Sequence, residues 1–529
     1  MMSASATRKS FRISTWPAAL GIRCEQSITL HERRYLLLAL AIFALLSAYC
    51  AYTVPLWYDE FFTLFISQIA SLPKMLRAMP DGGQPPMQYL LTHLSLRLFG
   101  ETEFAIRLPE MLAYMAAGLL IYKIVRRHGT AIQALFALAM LLGATINREH
   151  AYTARPYGLL IAFTALTFYS WQTATLREHH RLLPLCGVAL GIGGAILSHY
   201  FGVVHTGLLL AAGETARLIE RRRLDGWMIA AITAGLTTLA LTLSLARQTN
   251  LVLNVNILNS TNFWARPSPI HLLFYLFMVS LPLLFLVAIF ACMLWPGRTL
   301  ASRASALHSV PAHEWAAAGA LALLLPILLL LTKFLTGYFI MRYAISCSLG
   351  LALLAGWALP HFGRLRTIAQ PLLALSTLCF LLFIATTILL NNIHLPIWKA
   401  QPGTEAVSTV LLSAPAGVPI VVANAFDYVP EWWYAPASIQ QRLVYLSDIQ
   451  YAVHQPDFFP ENSLTSLHDY IPLRIADYAP FVSSHSTFLL FKSGLPRLTW
   501  IVPRLANAGW RLTPIAQSGG DVLYRVDRP

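Results

Sequence analysis

Charge is what this sequence has least of. Of its 529 residues only 12% are charged while 57% are hydrophobic, and the mean hydropathy is +0.58. A soluble globular chain carries about 25% charged and about 45–50% apolar residues. Half that charge cannot keep so long a chain in solution, which excludes a purely soluble enzyme. Disorder is excluded too, because a disordered chain is poor in apolar residues. Cysteine is scarce: Cys24, Cys50, Cys186, Cys292, Cys347 and Cys379 form no C-x-x-C pair, and none follows residue 390. Neither a zinc site nor a disulfide framework is indicated. A cleavable signal peptide is not expected, since the first apolar run begins only near Tyr35 and continues at spanning length. The chain is expected to sit in a lipid bilayer.

The net charge is +14, but residues 391–529 balance at −1 and the first 390 carry +15. The excess lies among hydrophobic segments, as the positive-inside rule leaves it. No basic stripe or RNA-binding signature accompanies it, so nucleic acid is not an expected partner.

A spanning helix needs about 20 mostly apolar residues. That criterion predicts eleven spans, near 35–55, 105–122, 130–146, 152–171, 182–198, 200–216, 227–246, 270–296, 314–332, 338–360 and 368–390. The connections on the amino-terminal side hold nineteen Lys and Arg, and each of the six segments is basic. That side is therefore cytoplasmic. The expected organisation is a basic cytoplasmic tail (1–34), a transmembrane domain (35–390) with a long first outer loop (56–104), and an extracytoplasmic domain (391–529). The expected location is the inner (plasma) membrane.

The outer side of the membrane half holds Asp59, Glu60, Asp81, Glu101, Glu103, Glu110 and Glu149. Five of the seven gather between the first two spans, in a connection of about fifty residues, and loops this long are usually functional or disordered. This one is rich in aromatics (Trp57, Tyr58, Phe61, Phe62, Phe65). Segments 60–78 and 87–99 read as amphipathic helices lying on the membrane surface. After Asn391, β-rich runs at Pro419–Ala423, Arg442–Leu446 and Thr487–Phe491 alternate with helix-compatible stretches. Gly519-Gly520 between Arg511–Gln517 and Asp521–Val526 predicts a hairpin. A small α/β domain follows from this pattern.

Adjacent carboxylates at the end of a spanning helix are costly beside hydrocarbon, and such groups usually mark function. A carboxylate there suits a general base acting on a hydroxyl; a solvated pair outside the bilayer is the plainer alternative. Arg148 to Tyr157 form a polar cluster in a short outer connection, Ser198-His199-Tyr200 fill another, and Lys333, Tyr338, Arg342 and Tyr343 surround a fourth. Aromatics at this level often form only an interface belt. Outer-face arginines run against the positive-inside trend and call for an anionic partner such as a phosphate.

Taken together, these segments resemble the GT-C superfamily of polytopic glycosyltransferases, in the branch of the protein O-mannosyltransferases and lipid A aminoarabinose transferases. Asp59-Glu60 falls on that family's acidic pair. Asp81 to Tyr89 looks like its D-x-x-H-P-P-L-x-Y segment, and Phe99-Gly100 with Ala105-Ile106-Arg107-Leu108-Pro109 resembles its F-G…A-x-R-L-P run. Ala154-Arg155-Pro156-Tyr157, His199-Tyr200 and Arg342-Tyr343 resemble its A-R-P-Y, H-Y and late R-Y. Gln84 departs from the pattern where the family often has His or Asn; it cannot titrate, so no proton transfer is assigned to it. No segment of the carboxy-terminal domain matches a known acceptor-binding module.

The resemblance implies a GT-C fold and transfer of a sugar, with inversion, from a polyprenyl-phosphate donor to an extracytoplasmic acceptor (lipid A, another glycan, a lipid or a protein). It implies Asp59 as general base and Glu60 as a second carboxylate orienting sugar or acceptor. Arg155, Arg342, Lys333 and Tyr343 would hold the donor phosphate, and Asp81, Gln84, Tyr157, His199 and Tyr200 would bind or support substrate. No metal or other cofactor is expected, because this branch is regarded as metal-independent. A secondary transporter would instead show related halves and midplane ionisable groups, and no internal repeat is present. A polymerase or ligase of surface glycans without lipid-phosphate sugar donors is the remaining alternative.

Overall fold

The computed structural model describes residues 26–244, 266–273, 310–335, 337, 339–358, 407–452, 470–494 and 499–528, with positions 279, 454, 464, 465 and 468. The membrane half comprises α1 (Glu32–Thr53), α2 (Tyr58–Gln68), α3 (Pro86–Phe99), α4 (Glu103–Arg126), α5 (Ala131–Gly143), α6 (Thr145–His150), α7 (Tyr157–Leu176), α8 (Leu182–Ser198), α9 (Gly202–Arg221), α10 (Gly226–Leu236), α11 (Ala312–Ala322), α12 (Leu324–Leu335) and α13 (Cys347–Ala358). A short additional helix, Leu72–Ala78, follows α2.

Helix starts follow local chemistry. The Thr102 side chain accepts from the Ala105 N–H at the start of α4, and Thr130 with Gln133 forms a capping box for α5. Pro109 sits inside α4 and has no N–H to give the carbonyl of Ala105 four residues earlier. The Ser95 hydroxyl of α3 donates to that carbonyl instead. The missing bond thus becomes a link between two helices.

Among the described residues, Glu32–Thr53, Glu103–Arg126 and Gly226–Ser244 are long and apolar enough to cross a membrane, and α11 with α12 would make a fourth span bent by 54°. Helix α1 exposes Leu37, Leu38 and Leu45 and α8 exposes Leu182 and Leu183, side chains that suit a lipid surface. The span expected at 368–390 and most of that at 270–296 lie outside the described residues. A large core binds α4, α5, α7, α8, α9, α11 and α13 around Tyr114, Phe168, Trp171, Leu321 and Trp357.

One expectation changes. The segment 60–78 does not form one helix lying on the membrane surface: it breaks between Gln68 and Leu72, where Pro73 opens a new helix. Residues Glu60 to Ser67 of α2 are all buried, because aromatic side chains occupy several faces of the helix and two other parts of the protein cover them. Glu110 lies in the interior of α4, inside the second predicted span, and is fully buried.

The carboxy-terminal part is a six-stranded sheet: β1 (Ile420–Val422), β2 (Leu443–Ser447), β3 (Ile475–Asp477), β4 (Thr487–Lys492), β5 (Arg511–Ser518) and β6 (Asp521–Asp527), in the order β3-β2-β1-β4-β6-β5. The first four strands run parallel, and β4-β6-β5 are antiparallel. Strands β1 and β2 read as unbroken apolar runs because both faces are covered. The β5–β6 hairpin turns at Gly519, whose φ of 58° suits glycine. Helix α14 (Ala425–Tyr434) follows β1 and joins the sheet to α2. A second core runs without interruption from Leu56, Tyr58, Phe61 and Phe65 into Val421, Leu443 and Phe488.

One buried carboxyl in this domain has a consequence for stability. Burial pushes Glu431 up to about 8 from an ordinary 4.5, while the Ser408 N–H donates to it. The folded state therefore holds this proton more tightly than the unfolded one. Its stabilising contribution is full below about pH 4.5 and is lost as pH rises through 8. Glu431→Gln is expected to flatten that decline and to raise the unfolding midpoint near pH 8, measured by thermal unfolding of the detergent-solubilised protein across pH.

Candidate active site

The site begins where α1 ends. Val54-Pro55-Leu56-Trp57 turn the chain into α2, whose first turn carries Asp59 and Glu60. Neighbours on a helix point in different directions, and the two carboxylates have different surroundings. Glu60 is fully buried. Its Oε1 accepts from Arg107 Nε (2.8 Å) and the Ala154 N–H (2.8 Å); its Oε2 accepts from Arg107 Nη2 (2.7 Å) and the Trp57 N–H (3.1 Å).

Arg107 is equally enclosed. Beyond Glu60, it donates to the carbonyls of Ala51 (2.9 Å), Val54 (2.6 Å) and Pro55 (3.1 Å). All five guanidinium donors are thereby used. A pair so placed holds four pieces of chain together: the end of α1, the start of α2, α4 and the Ala154 turn. Glu60 is thus committed to structure, which leaves it no evident oxygen for the sugar or acceptor that the sequence suggested.

Asp59 is different. Its carboxylate is 20% exposed, and Oδ2 lies 2.9 Å from Arg342 Nη2 and 4.0 Å from Arg155 Nε. Arg155 also donates to the Asp59 carbonyl (3.3 Å). The Arg342 guanidinium stands over the rings of Trp57 (5.5 Å) and Tyr157 (5.8 Å). Tyr157, His199 and Tyr343 form a continuous aromatic wall, with His199 5.8 Å from Tyr157 and 5.1 Å from Tyr343. The structure therefore gathers Asp59, Arg155, Tyr157, His199, Arg342 and Tyr343 from four separate segments.

Several donors here are buried without a bond: among the described residues Arg155 Nε, Arg342 Nε and His199 Nε2 have no hydrogen-bond partner. Buried polar groups are nearly always paired, so the two arginine Nε groups beside Asp59 and the His199 Nε2 on the aromatic wall are donors with capacity to spare.

Lys333 is exposed at the end of α12, and no ion pair to it occurs among the described residues. Tyr200 lies half-buried in the turn beside His199. Asp81 belongs to the 3-10 turn Met79–Gly82, and its side chain is outside the described residues. Gly82 in that turn is needed for space, since a Cβ would lie 2.0 Å from the Tyr89 hydroxyl. Gln84 is buried, and its Oε1 has no partner among the described residues. No group of three or more His, Cys, Asp or Glu in a metal-holding arrangement occurs among the described residues.

Three supporting residues were given no role from sequence. Arg107 lay in a quoted motif. Glu110 Oε2 accepts from the N–H groups of Gly158 (2.6 Å) and Leu159 (3.2 Å), capping α7 from across the bundle and steadying the Arg155-Pro156-Tyr157 turn. A Cβ at Gly158 would come within 2.7 Å of the Glu110 carbonyl, so only glycine permits this approach. His205 holds the other arginine-bearing turn: Nε2 donates to the Tyr343 carbonyl (2.7 Å) while Nδ1 accepts from Ser346 (2.8 Å). A buried His or Glu inside a long apolar run was the available signal.

Residues 83–212 match the family described as dolichyl-phosphate-mannose-protein mannosyltransferase. The chain carries this match over about a quarter of its length. Its fold is similar to that of ArnT from Cupriavidus metallidurans in the apo state (TM-score 0.60, 12% identity), covering 93% of this chain and 98% of that one. The same protein bound to undecaprenyl phosphate matches with a TM-score of 0.54 at 14% identity, over the same shares of the two chains. The S. cerevisiae protein O-mannosyltransferase Pmt1-Pmt2 complex bound to the sugar donor aligns over 44% of this chain and 35% of that one, at 15% identity and a TM-score of 0.33, too low to carry an argument. No curated protein sequence is significantly similar.

Removing one partner of a buried ion pair leaves the other charge uncompensated and costs on the order of 3–5 kcal/mol. Arg107→Met is accordingly expected to lower the unfolding midpoint strongly, and Arg107→Met combined with Glu60→Gln to recover part of the loss. Thermal unfolding in detergent tests both; an unchanged midpoint in the single variant would show that the pair does not hold this region together.

Proposed function

We propose that this protein is a GT-C-type glycosyltransferase that moves a sugar from a polyprenyl-phosphate donor to an acceptor at the outer face of the membrane, with inversion at the anomeric carbon. The observation that carries the reading is the convergence of Arg155 and Arg342, each with an unbonded buried Nε, on the half-open carboxylate of Asp59. Two arginine forks side by side suit a phosphate, which accepts bidentate bonds and becomes more negative as the glycosidic bond breaks. The neighbour solved with undecaprenyl phosphate supports a polyprenyl-linked donor.

In this reading the acceptor hydroxyl attacks the anomeric carbon as the sugar–phosphate bond breaks. The hydroxyl proton goes to Asp59 and the electron pair of the broken bond to the phosphate, held by Arg155 and Arg342. Glycosyl transfer passes through an oxocarbenium-like state, and the aromatic wall of Tyr157, His199 and Tyr343 gives the sugar an apolar flank with one polar edge. The phosphate competes with Asp59 for the same guanidinium groups. Donor binding therefore loosens the Arg342–Asp59 pair and leaves the carboxylate available for the proton. Glu60 acts indirectly, by fixing the turn that presents Asp59.

Asp59→Asn keeps the shape and removes the proton acceptor; turnover is expected to fall at least ~10²-fold, within the range of general-base catalysis. Arg342→Lys keeps the charge but loses the fork, and is expected to lower both turnover and donor affinity. Steady-state kinetics with a short-chain polyprenyl-phosphate sugar test both variants. Near-normal turnover in Asp59→Asn would remove the base from this scheme, and wild-type parameters in Arg342→Lys would remove the clamp.

The distribution of Lys and Arg supports a cytoplasmic amino terminus and an extracytoplasmic sheet domain at residues 391–529. A reporter active only outside the cytoplasm, fused after Asp527, is expected to work. Activity of a cytoplasmic reporter alone would reverse the orientation and the side on which transfer occurs.

A further inference from the structure

Between α1 and α2 the backbone donors are nearly all taken locally. The Val54 N–H donates to the Cys50 carbonyl, Pro55 has none, and the Trp57 N–H donates to Glu60. Leu56 is the exception. Its N–H donates to the hydroxyl of Tyr434 (2.8 Å), a residue 378 positions away at the end of α14 in the sheet domain. The same hydroxyl donates to Glu103 Oε1 (3.2 Å) in the first turn of α4. One phenol thus accepts from the turn that presents Asp59 and donates to the helix that carries Arg107.

The ring of Tyr434 is held independently of its hydroxyl. Trp433 packs edge-on against Phe61 (6.0 Å) and Phe65 (5.5 Å), and Phe426 against Tyr58 (4.8 Å). These contacts dock α14 on α2 and leave the hydroxyl to set fine position. Burial raises the phenol above its ordinary range, so it stays protonated and able to donate. Leu56 itself is buried, only 4% exposed, so without the phenol its N–H has no ready replacement.

We infer that Tyr434 is a positioning residue for the transfer: from the sheet domain, its hydroxyl fixes the Leu56–Trp57 turn and so sets where the Asp59 carboxylate stands against Arg155 and Arg342. The inference rests on the role proposed for Asp59. It gives the carboxy-terminal domain a part in catalysis that needs no contact between that domain and the reacting atoms. An error of about 1 Å in the placement of a reacting group can cost ~10²-fold in rate, so one hydrogen bond at this turn has leverage.

The test is Tyr434→Phe in the full-length protein, alone and combined with Asp59→Asn, with a short-chain polyprenyl-phosphate sugar as probe. Tyr434→Phe is expected to lower kcat by about 10- to 100-fold, with donor binding retained because the arginines lie on other segments. In the Asp59→Asn background the same change is expected to have little further effect, since the hydroxyl acts through that carboxylate. A merely structural role would lower the active fraction equally in both backgrounds, and that additive outcome would overturn the inference. Undiminished kcat in Tyr434→Phe, beside an inactive Asp59→Asn, would overturn it alone; undiminished turnover in Asp59→Asn would overturn the base assignment first. If Tyr434→Phe does not fold, Glu103→Ala removes the other partner of the phenol. It is then expected to lower kcat by about 2- to 10-fold, again only while Asp59 is present, and equal losses in both backgrounds would count against the inference.

Discussion

The ion pair between Glu60 and Arg107 is the interaction on which the rest of this site depends. Both side chains are fully buried, and the pair survives burial because all five arginine donors and both carboxylate oxygens are engaged. A buried pair with unmet groups would be a net cost. This one uses its spare capacity on backbone, drawing three carbonyls from the end of α1 and an N–H from each of two turns. The Trp57 turn presents Asp59; the Ala154 turn presents Arg155. Their separation is therefore set by one side-chain pair rather than by two flexible loops.

Two further anchors act in the same way. Glu110 caps α7 just after Arg155-Pro156-Tyr157, and His205 holds the carbonyl next to Arg342. Each lies on a long helix and reaches a turn that carries a site residue. Rigid helices set the positions, while short turns carry the groups of the candidate site. A carboxylate and two arginines held this way need little reorganisation when charge develops, which is the condition for strong electrostatic stabilisation. The sheet domain adds an anchor through Tyr434, and the core that runs from Phe61 into β1 shows that it is packed against the segment carrying Asp59 rather than tethered beside it.

Much of the architecture was legible in the sequence. Low charge and long apolar runs required a membrane, and helices now lie where α1, α4, α5, α7, α8, α9 and α10 were expected. The β-hairpin at Gly519-Gly520 and three of the four parallel strands follow from composition; the three-residue β3 is too short to show a pattern. The motif segments were visible because each joins unusual polar residues to a proline or aromatic at the end of an apolar run. The surface placement of 60–78 was the weak point, since aromatic side chains suit a membrane interface and a protein interface equally well.

What the sequence determined by itself is the medium and the short list of candidate polar residues; hydropathy, charge asymmetry and motif order are local properties. It also singled out Asp59 and Glu60 as an adjacent acidic pair. Which of the two turns inward was decided only by Arg107 arriving from α4. Likewise, Arg342 has no acidic residue near it in the chain, yet meets Asp59 across 283 positions, and Leu56 meets Tyr434 across 378. Such partners are chosen by packing: a buried charge or an unpaired N–H costs too much to remain alone, and only the folded chain determines which group is close enough to answer it.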